Sequence, residues 1–384
     1  MKIGVVTFWW SNDNYGQLLQ CWALQKQLRL LGHAPYLIRY SEYDRSKSSL
    51  KSRIIMKIKE VSLIGFIYKT LKFKGYLTNY IRDKQRNFDA FRKTYFEFSD
   101  YYYSSLKDIQ ENYPQADVYI TGSDQVWAHL LDKEYNTIFF LNFGNKRIKR
   151  IAYAPSFGMD SYPERLMPTL KKALSRFDAL SVRENSGIKI CKDAGYEATH
   201  VLDPTILLPT KEYQILISQN KVNTPYIYIY SVNINNSRQL QWDALQRFAS
   251  IHHLKTIATT ATGYFPASEI FAGAEYDYSS IPQWLSNIKN AQLVITTSFH
   301  GVVFSILFHT NFVYFPIEGR FGRGNGRVIS LLEMVGLLDR VYSPNVSFDD
   351  FYQTNIDWTL VENIIGAERE KSLYFLKKCL NSRR

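Results

Sequence analysis

The strongest constraint on the fold is a strand that ends in a short polar turn and runs straight into a helix. Residues 2–8 (Lys-Ile-Gly-Val-Val-Thr-Phe) read as a buried strand, followed by the polar turn Ser11-Asn12-Asp13-Asn14-Tyr15-Gly16. A helix follows with apolar residues at Leu18, Trp22, Leu24, Leu28 and Leu31, and Gly32 closes it. Tyr36-Leu37-Ile38 is the next strand. Strand, loop, helix, strand is the opening of a doubly wound α/β sheet.

The same rhythm resumes downstream. Ala116–Ile120 is a strand ending in Thr121-Gly122-Ser123-Asp124-Gln125-Val126-Trp127, and Ile151–Ala154 is one ending in Pro155-Ser156-Phe157-Gly158. Ala179–Val182 ends in Arg183-Glu184-Asn185-Ser186, and a short helix, Gly195 and Val201-Leu202-Asp203-Pro204-Thr205 follow. A second unit starts at Tyr226–Tyr230, with a helix over 237–252, a strand at 255–258 and a helix ending at Asn290. Leu293–Thr296, a helix from Val302 to Phe308, the strand Phe312–Phe315 and a helix over 327–335 complete it. The polar stretch 206–224 marks the boundary, so the predicted domains are 1–205 and 206–384, the second carrying His300. A length of 384 residues suits two domains. Two Rossmann-like units facing a cleft make a GT-B-like α/β fold, with ligands beyond the carboxyl ends of the strands.

Residues 45–95 break the rhythm. Between Arg45 and Lys93 there are 14 Lys and Arg against Glu60, Asp83 and Asp89, with apolar stretches at Ile54–Ile58 and Val61–Tyr68. This predicts a basic helical insertion in the first domain. It either docks on an anionic membrane face or lipid-linked substrate, or is a solvated insertion with its Lys and Arg outward. The formal charge of +12 favours anionic partners generally, but no nucleic-acid recognition motif is visible. Cys21, Cys191 and Cys379 are too scattered for a disulfide framework or a CxxC site. The chain starts directly in a strand and has no run of about 18 apolar residues. The expected location is cytoplasmic, with peripheral contact at the cytoplasmic membrane face left open.

Five loops could carry chemistry. In Ser298-Phe299-His300-Gly301, an imidazole stands at a helix start, where unsatisfied N–H groups favour an anion and Gly301 allows close approach. The alternative is a buried His bonded to a carbonyl. Arg183, in Ser181-Val182-Arg183-Glu184, offers a planar cationic fork for carboxylate or phosphate, or a mere pairing with Glu184. Gly319-Arg320-Phe321-Gly322-Arg323-Gly324-Asn325-Gly326-Arg327 reads as an anion-binding loop, with Arg327 entering the next helix, or as a mobile surface loop. Ser123, Asp124 and Gln125 could hold a hydroxylated substrate, with Asp124 as a base or a helix cap. Asn14-Tyr15-Gly16 could bind substrate or serve as cap and turn.

Other features carry less. Asp203-Pro204 reads as a turn and domain-closing element. His129, His252, His253 and His309 have no motif around them. There is no P-loop, no GxSxG elbow, no GxGxxG after the first strand and no metal-ligand spacing, so no metal and no bound cofactor are expected.

Taken in order, Asn14-Tyr15-Gly16 with Leu19-Gln20 and Ala23-Leu24, Thr121–Trp127, Ser181–Glu184, Leu202–Thr205, Ser298–Gly301 and Arg327–Leu337 resemble the polysaccharide pyruvyltransferase family. The resemblance implies transfer of a pyruvyl (carboxyvinyl) unit from phosphoenolpyruvate, as co-substrate, to two hydroxyls of one sugar. The product would be a pyruvate ketal in cell-surface polysaccharide, exopolysaccharide or capsule biosynthesis. It implies His300 as the catalytic histidine and Arg183 and Arg327 as donor-binding positions. Position 299 is Phe where several members have Arg or Leu. The expected site is thus catalytic His300, Arg183 and Asp124, donor-binding Arg327, Arg183, Ser298 and Gly301, and substrate-binding Asn14, Tyr15, Gly16, Ser123 and Gln125. Partners would be phosphoenolpyruvate and a sugar acceptor, with a lipid-linked oligosaccharide, a nucleotide-linked sugar or a polymer left open as its carrier, and no nucleic acid. Competing functions are a GT-B glycosyltransferase using a nucleotide sugar and a non-catalytic, membrane-associated assembly protein.

Overall fold

The computed structural model describes residues 1–40, 78, 80–219, 223–261 and 269–382. Two parallel sheets form the frame. The first contains β1 (Lys2–Val6), β2 (Ala34–Tyr40), β3 (Phe98–Tyr103), β4 (Val118–Thr121), β5 (Lys149–Ala152), β6 (Ala179–Val182) and β7 (Thr199–His200), in the order β3-β2-β1-β4-β5-β6-β7. The second contains β8 (Tyr226–Val232), β9 (Lys255–Ala261), β10 (Glu275–Tyr276), β11 (Leu293–Thr296) and β12 (Phe312–Tyr314), in the order β10-β9-β8-β11-β12. The fold is α/β, with two Rossmann-like sheets in a GT-B-like arrangement.

Central strands are covered on both faces, and their residues are apolar without alternation, as burial on both sides requires. Ile3, Val5, Ile120, Ile227, Ile229 and Ile295 are essentially inaccessible. The strand order reverses between β1 and β4 in the first sheet and between β8 and β11 in the second. At such a reversal the following loops diverge to opposite faces and leave a crevice at the carboxyl ends. The loops after β1, β4 and β11 are three of the five that the sequence selects.

Several boundaries and elements differ from the sequence expectation. Strand β5 occupies 149–152 rather than 151–154, because Ala154 takes a left-handed conformation with φ of 53°. Strand β7 lies at 199–200, just before the expected 201–205 segment. The edge strand β3 and the short β10 were not anticipated. Their residues gain strand geometry by pairing with β2 and β9, a long-range effect that local pattern does not carry.

Of the expected insertion 45–95, only residues 78 and 80–95 are described, and they are mainly helical. The stretches Ile54–Ile58 and Val61–Tyr68 lie outside the described residues. The described part corrects the outward-facing picture of its arginines. Arg82, Arg86 and Arg92 are buried. Arg86 donates to the Thr260 carbonyl in β9 at 2.9 Å and Arg82 pairs with Glu269 at 2.8 Å, both reaching across to the second sheet's unit. Arg92 donates to the Trp9 carbonyl at 3.0 Å and to the Ser11 carbonyl, clamping the loop after β1.

The long terminal helix Trp358–Asn381, capped by Asp357, returns to the first sheet. Ser372 Oγ accepts from the Leu202 N–H at 2.9 Å, Arg369 donates to the Ile206 carbonyl at 2.8 Å and Lys149 Nζ to the Cys379 carbonyl at 2.8 Å. Among the described residues no helix is long and apolar enough to cross a membrane.

Candidate functional site

The β11 strand ends at Thr296, and Ser298 caps the helix Phe299–Leu307 that follows. The Gly301 N–H points at Ser298 Oγ at 3.5 Å. Gly301 is required by packing: a Cβ there would lie 2.2 Å from Thr296 Oγ1. His300 is therefore the second residue of a helix, beside N–H groups that have no carbonyl partner within it. Its ring is pressed against the start of another helix, Tyr15–Leu30, where a Cβ on Gly16 would lie 1.9 Å from His300 Nδ1. Glycine at 16 is what lets the two helix starts meet.

Four charged side chains from the first sheet surround this point. Arg183, at the end of β6, is buried. Its guanidinium donates to Asp203 Oδ2 at 2.8 Å and to Asp124 Oδ1 at 3.4 Å, and its Nε stands 3.8 Å from Glu184 Oε2. Asp203 is the hub. Its Oδ2 also accepts from Ser123 Oγ at 2.6 Å. Oδ1 accepts from the Thr205 N–H at 3.0 Å and hydroxyl at 2.6 Å, and lies 3.9 Å from His300 Nε2. Burial favours the protonated acid, but Arg183, His300 and the two hydroxyls outweigh it and bring the Asp203 pKa down to about 2. Asp203 also caps the short helix Pro204–Leu207, so the turn expected there exists. The expectation that its role ends with the turn is corrected. The clue was available in the sequence, since Asp203 follows a strand on the same carboxyl side as Arg183.

Burial lowers the His300 pKa to about 4, with Arg183 and Arg327 adding to the effect and Asp203 and Asp124 opposing it. The imidazole is neutral at pH 7, and its Nε2 is buried without a hydrogen-bond partner. Glu184 is pushed up by burial against the pull of Arg183. Its Oε1 accepts from the Phe157 N–H at 2.8 Å, while Oε2 has no hydrogen bond.

Arg327 enters from the other side, in the first turn of the helix Gly326–Met334. It and Arg183 both lie over the Phe299 ring, at 5.8 and 4.8 Å from its centroid. The aromatic face holds two cations close together without neutralising either. Burial and the neighbouring Arg183 bring the Arg327 pKa down to about 10. Its Nε is buried and without a hydrogen bond, and among the described residues no carboxylate pairs with it. Two guanidiniums, a helix start and a neutral imidazole are groups whose chemistry suits a small multiply charged anion.

The remaining expected residues divide. Asp124, at φ 71°, sits in this cluster. Ser123 is buried and spends its hydroxyl on Asp203 and the Ala154 carbonyl, so it supports the cluster rather than facing a substrate. Gln125 is half-buried, and a Cβ on Gly324 would lie 3.5 Å from its Nε2 and 3.6 Å from an Arg327 nitrogen. That joins it to the Arg327 loop. Asn14 is the helix cap, accepting from the Gln17 N–H at 3.1 Å. Tyr15 is placed away from any ligand: it is fully buried, stacks on Trp284 at 5.1 Å and donates to the Ser279 carbonyl at 2.7 Å. Its large apolar ring is more stable between the sheets than in a wet cleft. Among the described residues no cluster of His, Cys, Asp and Glu has the makings of a metal site.

Comparison with known proteins bears on the family and the fold. The family model described as polysaccharide pyruvyl transferase matches residues 14–319, most of the chain. No curated protein matches. Among solved structures, UDP-N-acetylglucosamine 2-epimerase from Rickettsia bellii is similar over 98% of this chain and 96% of its own, at 9% identity and a TM-score of 0.55. An S. aureus MnaA–UDP co-structure is similar over 99% and 97%, at 10% identity and a TM-score of 0.49. At such identity the first likeness shows a shared fold.

Proposed function

The chain belongs to the polysaccharide pyruvyl transferase family, and on that premise we propose that it transfers the pyruvyl unit of phosphoenolpyruvate to two hydroxyls of one sugar, forming a cyclic ketal. The observation that carries the reading is Arg327, a half-buried cation with a buried, unbonded Nε and no ion pair among the described residues, beside Arg183 and His300 at a helix start. Phosphoenolpyruvate brings the phosphate and carboxylate that such a site lacks.

In the proposed reaction a proton adds to the methylene carbon, and C2 becomes electrophilic. One sugar hydroxyl bonds to C2, the bond from C2 to the phosphate oxygen breaks, and phosphate leaves. A second hydroxyl of the same sugar then bonds to C2 and closes the ketal. Of the two hydroxyl protons released, one is balanced by the new methyl group and the other leaves on phosphate. His300 is neutral in the empty site because it is buried near two cations. A bound anion offsets those cations, so the imidazole takes up a proton with the donor and delivers it to the methylene. Asp203, 3.9 Å away, stabilises the imidazolium. Asp124 orients or deprotonates the acceptor. Such acid–base assistance is worth about 10²–10⁴-fold. The acceptor is a sugar, carried on a lipid-linked oligosaccharide, and the enzyme works in the cytoplasm at the membrane face.

The test is a coupled phosphate-release assay with phosphoenolpyruvate and a panel of lipid-linked galactosides, mannosides and glucosides. Sugar-dependent release, with a product heavier by one pyruvate less one water, supports the reading. Release of nucleoside diphosphate from a nucleotide sugar, or wild-type turnover in folded His300→Ala, overturns it.

A further inference from the structure

Outside the anion receptor, the carboxyl end of the first sheet carries an aromatic surface that no step above uses. Phe8, just past β1, is buried, and Trp10 and His129 pack on it edge-on, with ring centroids at 5.4 and 5.3 Å. Phe139 closes the base at 4.9 Å from Phe8. Trp10 is half-buried and the His129 residue is exposed, so both present ring surface at the rim.

The platform is rigid. The Trp9 and Ser11 carbonyls on either side of Trp10 are both held by the buried Arg92 guanidinium. The Ser11 N–H donates to Gln17 Oε1 at 2.9 Å, and Thr7 Oγ1 donates to the Ser123 carbonyl at 2.9 Å. That last bond ties the Trp10 loop to the loop bearing Asp124. The Asp124 carboxylate favours the protonated form of His129, against the effect of burial, and does the same at His300. The aromatic rim and the reaction centre therefore lie within range of one charge. Beside Trp10 the chain runs Ser11-Asn12-Asp13-Asn14, a polar run in which Asn12 is exposed and the others are half-buried.

We propose that Trp10 and His129 form the acceptor subsite, holding a pyranose ring by its apolar C–H face while its hydroxyls point toward Asp124 and His300. This rests on the proposed ketal-forming reaction and names its acceptor side. A pyranose has one C–H-rich face and a rim of hydroxyls, which suits an aromatic plane flanked by short polar side chains.

Two measurements separate this inference from the reaction itself. Saturation-transfer NMR with methyl β-galactoside, methyl α-mannoside and methyl β-glucoside, with no donor present, reads sugar binding directly. Calorimetry with phosphoenolpyruvate alone reads the anion receptor. The expected result is that Trp10→Ala and His129→Ala, both folded by circular dichroism, lose the sugar signal but keep the donor affinity of the wild type. Trp10→Phe should retain the sugar signal. In turnover, the acceptor KM should rise by about tenfold for Trp10→Ala, the upper end for losing one ring contact, with donor KM unchanged. Wild-type sugar binding and acceptor KM in both alanine variants would overturn the subsite and leave the reaction standing. Sugar binding that depends on Trp10 in a protein that does not bind phosphoenolpyruvate would keep the subsite and overturn the reaction.

Discussion

Arg183 and Arg327 are the same residue type over one phenylalanine ring, yet they live in different electrostatic surroundings. Arg183 faces three carboxylates, Asp203, Asp124 and Glu184. These outweigh the penalty of burial and raise its pKa. Arg327 makes no ion pair among the described residues, and burial and Arg183 lower its pKa against the pull of Asp124 and Glu184. A paired buried cation is a structural joint, because removing either side leaves uncompensated charge. An unpaired one is a vacancy for an anion. On the proposed reaction, the first arginine holds the cluster together and the second binds what enters it.

Arg183→Met is the harshest way to break that comparison. It leaves three buried carboxylates without their cation and should destabilise the fold by about 3–5 kcal/mol. Urea unfolding followed by circular dichroism measures this. Loss of under about 1 kcal/mol would show that Arg183 is not a structural joint.

Acid lability comes next. The folded His300 pKa of about 4 lies below its ordinary 6.5, so between those values the unfolded chain binds more protons. Stability should therefore rise with pH from about 4 to 6.5. For a shift of this size the span is on the order of 3 kcal/mol. The Asp203 contribution is present above pH 3.8 and lost only as pH falls toward 2. His300→Gln should flatten the profile between pH 4 and 6.5. Arg327→Met should flatten it in part, since Arg327 is one of the charges depressing His300. An unchanged profile in both variants would remove His300 from the charge cluster.

Arg327→Met sharpens the comparison from the ligand side. Its thermal stability should stay near wild type, while phosphoenolpyruvate affinity falls by roughly tenfold to a hundredfold, the value of a charge-assisted bond of about 1.5–3 kcal/mol. Calorimetry in two buffers of different ionisation enthalpy should also show proton uptake on donor binding, absent in His300→Gln. The smallest effect is expected at Ser123→Ala. Loss of its 2.6 Å bond to Asp203 should cost about 1 kcal/mol of stability and leave donor affinity nearly intact.

The sequence carried much of this site because strand ends announce themselves. His300, Arg183, Asp124 and Arg327 were each found as a polar residue beyond a strand or at a helix start, and all four meet. Asp203 was misjudged because Asp-Pro-Thr satisfies a turn locally. Its links to Arg183, Ser123 and His300 come from segments 20, 80 and almost a hundred residues away. Tyr15 was misjudged for the converse reason: it stands in a loop-like motif, but Trp284 and Ser279 bury it from the other sheet.

By itself, then, the sequence determined the alternation of strands and helices, the two-unit layout and the charged and polar loops at the strand ends. Period, polarity and turn chemistry act over a few residues, so they can be read there. The tertiary structure decided which arginine is neutralised and which is left open, that His300 is neutral, and that Gly16 must be glycine to admit its ring. Those properties are sums of burial and charge over groups brought together from both sheets, and no local stretch of chain contains them.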